Sequence, residues 1–518
     1  MSFQVRRVRG EEEPSRLRKI ARIALPLTKI FLQLRHHLHS MQGASPEAIV
    51  IDKKRKRSVT ILLAGLFIVV LLLGTMKVLA QIKTFALGMS SVAGAELARD
   101  ANGFTNILLL GQGDDNHDGI DLTDTIMVAS LDPLQTKSAT LLSIPRDTYI
   151  LNTENMGKGR VNSLYRDYKT HLIRNGTSKA NASAEALQEL TKEVGRILGI
   201  EIHGAIKVNF SGFEQGVDLI GGIDIDVPED LVDPEYPGPN FSYETFRITK
   251  GLHHMSGALA LKYVRSRHST SDFSRSARQQ QVISSAIAEV KKNGIIKNLS
   301  KINGVLDIIA KNFASTFSTR ELIGLASLGS SIDTKRILNV QLNDQNGLYG
   351  SMIDQGGFLY SPPREQFDGA AVLLPVSIPE YPVTWKQVQA FMHLLLTERI
   401  LFLRPAPILV LNAGAKEGSA RIIGGELYRY HFNVVKTRNW GGKGSPEFSA
   451  SFIAVNQSLD GSDDPVMQSR RKFALATAKL LSSILDLPIQ TIDDPAQFAK
   501  ENTDVAIILG KSYRFTPL

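Results

Sequence analysis

The chain of 518 residues contains no cysteine, which excludes a disulfide framework, a cysteine-ligated zinc site and a thiol nucleophile. Aromatic residues are scarce at 7%, too few for a surface that stacks bases or sugars in series. The 41 Gly and 21 Pro are close to average usage and follow no period, so collagen-like and repeat architectures are out. Charged residues make up 21% against 43% hydrophobic, a globular balance incompatible with disorder throughout. The chain also lacks a G-x-S-x-G elbow, an H-E-x-x-H pair and a Walker A lysine loop.

The net charge of +9 invites a nucleic-acid reading until it is located. Residues 1–57 hold 14 Lys+Arg and 5 Asp+Glu, so the tail carries the whole excess and the rest of the chain is neutral. No nucleic-acid partner is expected. Directly after the run Lys53-Lys54-Arg55-Lys56-Arg57 comes VTILLAGLFIVVLLLGTM, Val59 to Met76, with no charged side chain. That length suits a spanning helix, which Lys77 can extend by snorkelling. The basic leader is too long for a cleaved signal peptide, and the apolar run is too long for its core. The positive-inside rule then predicts a single-pass protein of the cell membrane, with a cytoplasmic N-terminus and everything after the span outside. The basic tail is expected to set topology and to touch anionic membrane lipids.

Beyond the span, apolar runs at 106–110, 125–130, 138–144, 205–208 and 223–227 read as buried strands. Residues 261–267 (LKYVRSR) also read as a strand. Helical spacing appears at 183–198, 210–220 and 272–292, the last with Ser271 or Asp272 as cap and Asn293-Gly294 as stop. The alternation predicts a layered α/β domain. A helical stretch at 384–402 and the break Arg404-Pro405-Ala406-Pro407 lead to a second, smaller α/β domain, with strands at 408–411 and 505–509 and a helix through 474–484.

Residues 261–283 carry most of the candidate chemistry. Read as a strand, the first part puts Arg265 and Arg267 on one face. On the helix that follows, Asp272, Arg275 and Gln279 form one stripe. Guanidinium forks match phosphate oxygens, and a helix N-terminus attracts anions. Surface salt bridges with Asp272 as a helix cap are the alternative, and spacing alone does not choose between them. Arg146 ends a buried strand, where ligands of open α/β sheets gather; it is either a further phosphate ligand or the ion-pair partner of Asp147. The loop 111–124 holds Asp114, Asp115, Asp118, Asp121 and Asp124. Three readings stand for it: a solvated acidic loop, a private calcium loop, or carboxylates, chiefly Asp124, that hold magnesium on a phosphate.

Together these pieces resemble the LytR–CpsA–Psr (LCP) family of cell-envelope proteins. The resemblance rests on ILLLG at 107–111, TDTIMVASLDP at 123–133, LLSIPRDTYI at 141–150, VNFSGFEQGVDLIGGIDIDV at 208–227 and ALKYVRSRHSTSDFSRSARQQQV at 260–282. ILVLNAG at 408–414 and TDVAIILGKSYRF at 503–515 look like the C-terminal domain often attached to this family. The resemblance implies a basic cytoplasmic tail at 1–57, a transmembrane helix at 58–80, a helical stalk at 81–103, a layered α-β-α catalytic domain at 104–382, a helical linker at 383–405 and a LytR C-terminal-type domain at 406–518. It implies a magnesium-dependent phosphotransferase that moves a glycopolymer from a polyprenyl-pyrophosphate lipid onto a peptidoglycan acceptor. By the same resemblance, Arg146, Arg265, Arg267, Arg275 and Gln279 would hold the pyrophosphate. Asp124 would hold magnesium with Asp114 or Asp115, and Asp272 would orient arginines or assist proton removal.

Two departures stand out. The family usually reads G-x-D-x-R after the first strand, where this chain has Gly111-Gln112-Gly113-Asp114-Asp115, and Leu122 occupies a position commonly held by Arg. The competing functions are a non-catalytic module that binds lipid pyrophosphate or wall polymer, and a hydrolase of the same lipid-linked glycan. Transfer predicts that Arg265→Lys and Arg267→Lys each impair turnover although they keep the charge, because the bidentate fork is lost. Full turnover in both variants would remove these residues from the site.

Overall fold

A computed structural model describes residues 96–114, 119–238, 242–266, 272–293, 312–347, 352–376, 383–441, 447–492 and 496–515. The expected anchor at 58–80 lies outside them, and among the described residues no helix is long and apolar enough to cross a membrane. In chain order come β1 (Thr105–Gln112), β2 (Thr123–Asp132), β3 (Ser138–Ser143), α1 (Val161–Arg174), α2 (Lys179–Leu198), β4 (Gly204–Val208), α3 (Phe210–Leu219) and β5 (Ile223–Val227). The hairpin β6 (Leu231–Pro237) and β7 (Tyr243–Ile248) follows, then β8 (Gly251–Met255), α4 (Gly257–Arg265), α5 (Asp272–Asn293), β9 (Phe313–Ser315), α6 (Thr319–Ser331), β10 (Ile337–Gln341), β11 (Leu359–Tyr360) and β12 (Leu374–Pro375). The last part comprises α7 (Lys386–Thr397), α8 (Arg399–Leu403), β13 (Ile408–Asn412), α9 (Ser419–Arg429), β14 (Val434–Asn439), β15 (Phe452–Val455), α10 (Pro465–Leu485) and β16 (Val505–Leu509).

Six strands form the central sheet in the order β9-β4-β1-β2-β3-β10. The meander β1-β2-β3 is antiparallel, while β4 runs parallel to β1 and β10 parallel to β3, so the sheet is mixed. Its apolar runs alternate between two buried faces, as the strand period of two requires. Leu108 and Leu110 join the core formed with α1, α2 and α7, whereas Ile107 joins Leu322 and Leu325 of α6 on the other face. The result is the expected α-β-α layering.

Within the segment 261–267, residues 261–265 are helical rather than a strand. Residues 257–265 form α4, capped by Ser256, whose side chain accepts from the Leu259 backbone N–H. Ala260, Leu261, Tyr263 and Val264 are its buried face, a helical spacing that a window opened at Leu261 cuts short. Tyr263 and Val264 lend that window β propensity, which tertiary packing overrides. The shared strand face assumed for Arg265 and Arg267 therefore does not exist, and Arg267 lies outside the described residues. The end of the expected stalk also differs. Residues 96–103 are coil and turn, with Leu97 packed among Ile107, Phe317 and Leu325.

The final four-stranded sheet has the order β14-β13-β16-β15, with β13, β14 and β16 parallel and β15 antiparallel. One of its faces shares a continuous core with the central sheet, running through Val388, Phe391 and Leu395 of α7 and Phe402 of α8 to Ile408, Ile423 and Ile507. Arg399 of α8 is fully buried over the Phe104 ring and donates to the Ser130 carbonyl (3.1 Å) and hydroxyl (2.6 Å) of β2. Burial pushes its guanidinium down to about 10, against the attraction of Asp132 and Asp100.

Gly257 fixes how α4 meets α3. Its N–H donates to Asp218 (2.6 Å), and a Cβ there would overlap the Glu214 carbonyl oxygen. Gly257→Ala is expected to cost about 3 kcal/mol through overpacking, measured by urea unfolding against wild type. An unchanged midpoint would mean that α3 and α4 can separate without penalty.

Candidate functional site

A cleft of about 180 Å³ opens where β3 and β10 end at their carboxyl termini. Asp124, Thr125 and Ile126 of β2, Ile144–Asp147 after β3, and Arg275, Ser276 and Gln279 of α5 line it. Asp344, Ser361 and the 371–373 segment also line it. Four residues selected from the sequence, Asp124, Arg146, Arg275 and Gln279, thus share one cavity.

At its centre is a charged pair. The Arg146 guanidinium donates to Asp124 Oδ1 (3.2 Å) and its Nε lies 3.7 Å from Asp147, which in turn accepts from Arg160 (3.2 Å). The sequence offered two readings for Arg146, phosphate ligand or partner of Asp147; the side chain lies beside Asp147 and also lines the cleft. The same Asp124 oxygen accepts from Asn162 Nδ2 (3.1 Å). Asn162 is 4% exposed and sits in the first turn of α1. Its backbone N–H donates to the Arg146 carbonyl (3.3 Å), and its own carbonyl accepts from the Thr123 hydroxyl (3.3 Å). Asn162 therefore ties Asp124 and Arg146 into one unit, a role no local motif announced.

Helix α5 presents neighbouring glutamines to opposite environments. Gln279 reaches into the cleft and donates to the Thr125 hydroxyl (2.9 Å). Gln280 is buried and its amide meets the Leu141 carbonyl (3.0 Å), the Ser143 hydroxyl (3.0 Å) and the Val340 carbonyl (2.7 Å). Arg278 also turns inward, to the carbonyls of Tyr263 (2.9 Å) and Ser266. Burial lowers its pKa, and nearby Arg275 pushes the same way. The stripe Arg275–Gln279 is one helical face, as the spacing predicts.

Two other selected residues stand in a neighbouring cluster around α3. Arg265 lies over the rings of Phe210 (4.3 Å) and Tyr236 (5.4 Å). Asp114 accepts from the Ser211 backbone N–H (3.1 Å) and hydroxyl (2.8 Å) at the start of α3, where a carboxylate also complements the helix dipole. Between them Glu214 is held above the usual carboxylate range by burial, then by Asp114 and Asp218, with Arg265 opposing. Neither Arg265 nor Asp114 is among the residues that line the cleft. The side chain of Asp272, and all of Arg267, Asp115 and Asp118, lie outside the described residues.

Asn162, Asp344 and Ser361 escaped the sequence reading. Asp344 follows a strand end, the place where ligands of α/β sheets collect, and that was the one available signal. For a hard cation the cleft offers the half-exposed Asp124 carboxylate, and behind it, outside the cleft lining, stands the Asn162 amide, whose buried oxygen has no hydrogen-bond partner among the described residues. No group of three or more His, Asp or Glu side chains among the described residues could hold a metal alone. These donors fit magnesium in its common mode, one or two protein oxygens completed by water and phosphate.

The chain is thus a mixed α/β layer with a cleft at its strand ends that Arg146 and Arg275 line. The chain belongs to the LytR_cpsA_psr family, whose model matches residues 77–368. It is similar to the cell wall biosynthesis protein LcpA of Corynebacterium glutamicum, 26% identical over 420 residues that cover 71% of this chain and 72% of LcpA. It is also similar to the polyisoprenyl-teichoic acid–peptidoglycan teichoic acid transferase TagU of Oceanobacillus iheyensis, 31% identical over 210 residues, 40% of this chain. The chain spans 57% of the length of that TagU. Among solved structures, B. subtilis TagV aligns over 56% of this chain and 96% of its own, at 22% identity and a TM-score of 0.38.

The paired glutamines give a test. Gln280→Ala strands buried acceptors and should cost about 2–3 kcal/mol in urea unfolding, while Gln279→Ala should leave stability nearly unchanged. Binding of inorganic pyrophosphate, followed by calorimetry, should fall for Gln279→Ala. The reverse pattern would mean that α5 is rotated from the orientation described.

Proposed function

We propose that this chain is a membrane-anchored phosphotransferase that moves a glycopolymer from a polyprenyl-pyrophosphate carrier onto a hydroxyl of peptidoglycan. The observation that carries this reading is the convergence of Arg146, Arg275 and Gln279 with Asp124 in one cleft. Family membership and the transferase activity for which TagU is named support the same reading.

In the proposed reaction an acceptor hydroxyl oxygen attacks the phosphorus that carries the glycan. A new P–O bond forms as the bond to the polyprenyl phosphate oxygen breaks. Polyprenyl phosphate leaves with the bonding electrons, and the hydroxyl proton goes to a base, the role proposed for Asp272. Catalysis of this kind is mostly positioning and charge neutralisation. Arg146 and Arg275 neutralise pyrophosphate oxygens, and the Gln279 amide fixes one of them. Arg265 and Arg267 are proposed as further pyrophosphate ligands, and Asp114, beside α3, as the second carboxylate for the metal. Bound magnesium would supply further neutralisation of the phosphate charge, held by Asp124. The span at 59–76, with the basic run before it, would keep the cleft outside the cell beside its lipid substrate.

The test incubates the full-length chain in detergent with a polyprenyl-pyrophosphate glycan and peptidoglycan fragments, with magnesium and with EDTA. Magnesium-dependent joining of polymer to acceptor is expected. Release of free phosphorylated glycan without joining would make the protein a hydrolase, and tight binding without turnover would make it a binding module.

A further inference from the structure

We propose that Asn162 is part of the divalent-cation site, as a neutral oxygen ligand that works beside Asp124. The inference deepens the proposed function and rests on its magnesium. Its starting point is an oddity of polar accounting. Asn162 is 4% exposed, and its amide nitrogen is spent on Asp124 Oδ1 at 3.1 Å. Its amide oxygen is buried and accepts nothing among the described residues. Buried acceptors without a donor are rare and costly, and each calls for a reason.

An amide can supply that reason by turning over. Half a turn about the Cβ–Cγ axis exchanges Nδ2 and Oδ1 in nearly the same volume. The exchange breaks one hydrogen bond, to Asp124, and moves the amide N–H groups into the buried position that the oxygen leaves, a cost that coordination of the cation has to offset. Afterwards two oxygens face each other at the separation now held by nitrogen and oxygen. Magnesium–oxygen bonds of about 2.1 Å at right angles place neighbouring ligand oxygens about 3 Å apart. The 3.1 Å spacing between Asn162 and Asp124 is thus already that of adjacent ligands. Without a cation, the amide donates to the carboxylate and holds it in place. With a cation between them, the same side chain accepts.

Three further contacts fit this role. The Asn162 backbone N–H on the Arg146 carbonyl and the Thr123 hydroxyl on the Asn162 carbonyl hold the amide's origin fixed while its head turns. The Asp124 oxygen concerned also receives Arg146, at 3.2 Å. A cation on that oxygen competes with Arg146 and turns the guanidinium towards the anion in the cleft, so cation and pyrophosphate favour each other's binding.

Manganese, a paramagnetic stand-in for magnesium, reads this directly. The full-length chain in detergent is titrated with Mn²⁺ and free ion is followed by electron paramagnetic resonance. Asn162→Ala and the near-isosteric Asn162→Leu should each weaken Mn²⁺ binding about tenfold or more, the scale set by losing a group at a metal site. Asn162→Asp restores an oxygen at the same point and should bring affinity back to wild type or above. The proposal is overturned if the alanine and leucine variants bind Mn²⁺ like wild type, or if aspartate is as weak as they are. Thermal melting identifies folded variants, and alanine and leucine carry the same expectation independently. Failure of wild type itself to bind Mn²⁺ overturns both this inference and the magnesium of the proposed reaction. Unaltered binding in the variants of a protein that transfers polymer overturns the inference alone.

Discussion

The amide of Gln280 holds the two halves of the cleft in register. It reaches acceptors on β3 and β10 at once, the strands whose ends open the cavity. Because these acceptors are buried, α5 cannot slide or roll without stranding them, a cost of the order of 1–3 kcal/mol for each one left unsatisfied. One residue earlier, Gln279 is thereby aimed at β2, and Arg275 lies one turn below it on the same face. The inward turn of Arg278 to two carbonyls anchors the same helix to the end of α4. A position that binds no ligand thus determines where the ligand-facing side chains can be.

The charged centre of the cleft has the opposite character. Asp124 is half exposed, and its pairing with Arg146 at 3.2 Å is of the type whose net worth is typically below about 1 kcal/mol. A weak pair suits a site that must exchange partners, because neither side chain is committed strongly enough to exclude phosphate or a cation. Permanence is supplied one layer further out, by the backbone bonds of Asn162 and by Arg160 on Asp147. In the neighbouring cluster, Asp114 is committed more firmly, with both oxygens on Ser211. The two aspartates selected for one role therefore have different local duties, and that divergence coincides with the departure of residues 111–115 from the family pattern.

The core strands were legible because burial on both faces leaves an unbroken apolar run, as in NILLL and SATLLS. Helix α5 was legible from its period and its arginine–glutamine stripe. Helix α4 was not, since its decisive signals, the Ser256 cap and Gly257, precede the window in which Tyr263 and Val264 mimic a strand. One part of the cleft lining came from contiguous motifs, so spacing could find it. The other part, Asp344 with Ser361 and Val372, is assembled by chain folding from segments without periodicity. Asn162 was hidden for a related reason. A single asparagine in a helix's first turn looks like any solvated polar residue until burial is known.

The unbroken core that runs from Leu108 through Phe391 and Phe402 to Ile507 limits how this protein can be dissected. Scission at Arg404-Pro405 would take part of the apolar cover from α7 and α8 and leave Arg399, with its bonds to Ser130, open to water near the end of a shortened chain. The final sheet is a buttress for the central one, and any shuffling of modules between relatives must move residues 386–509 as one inheritance.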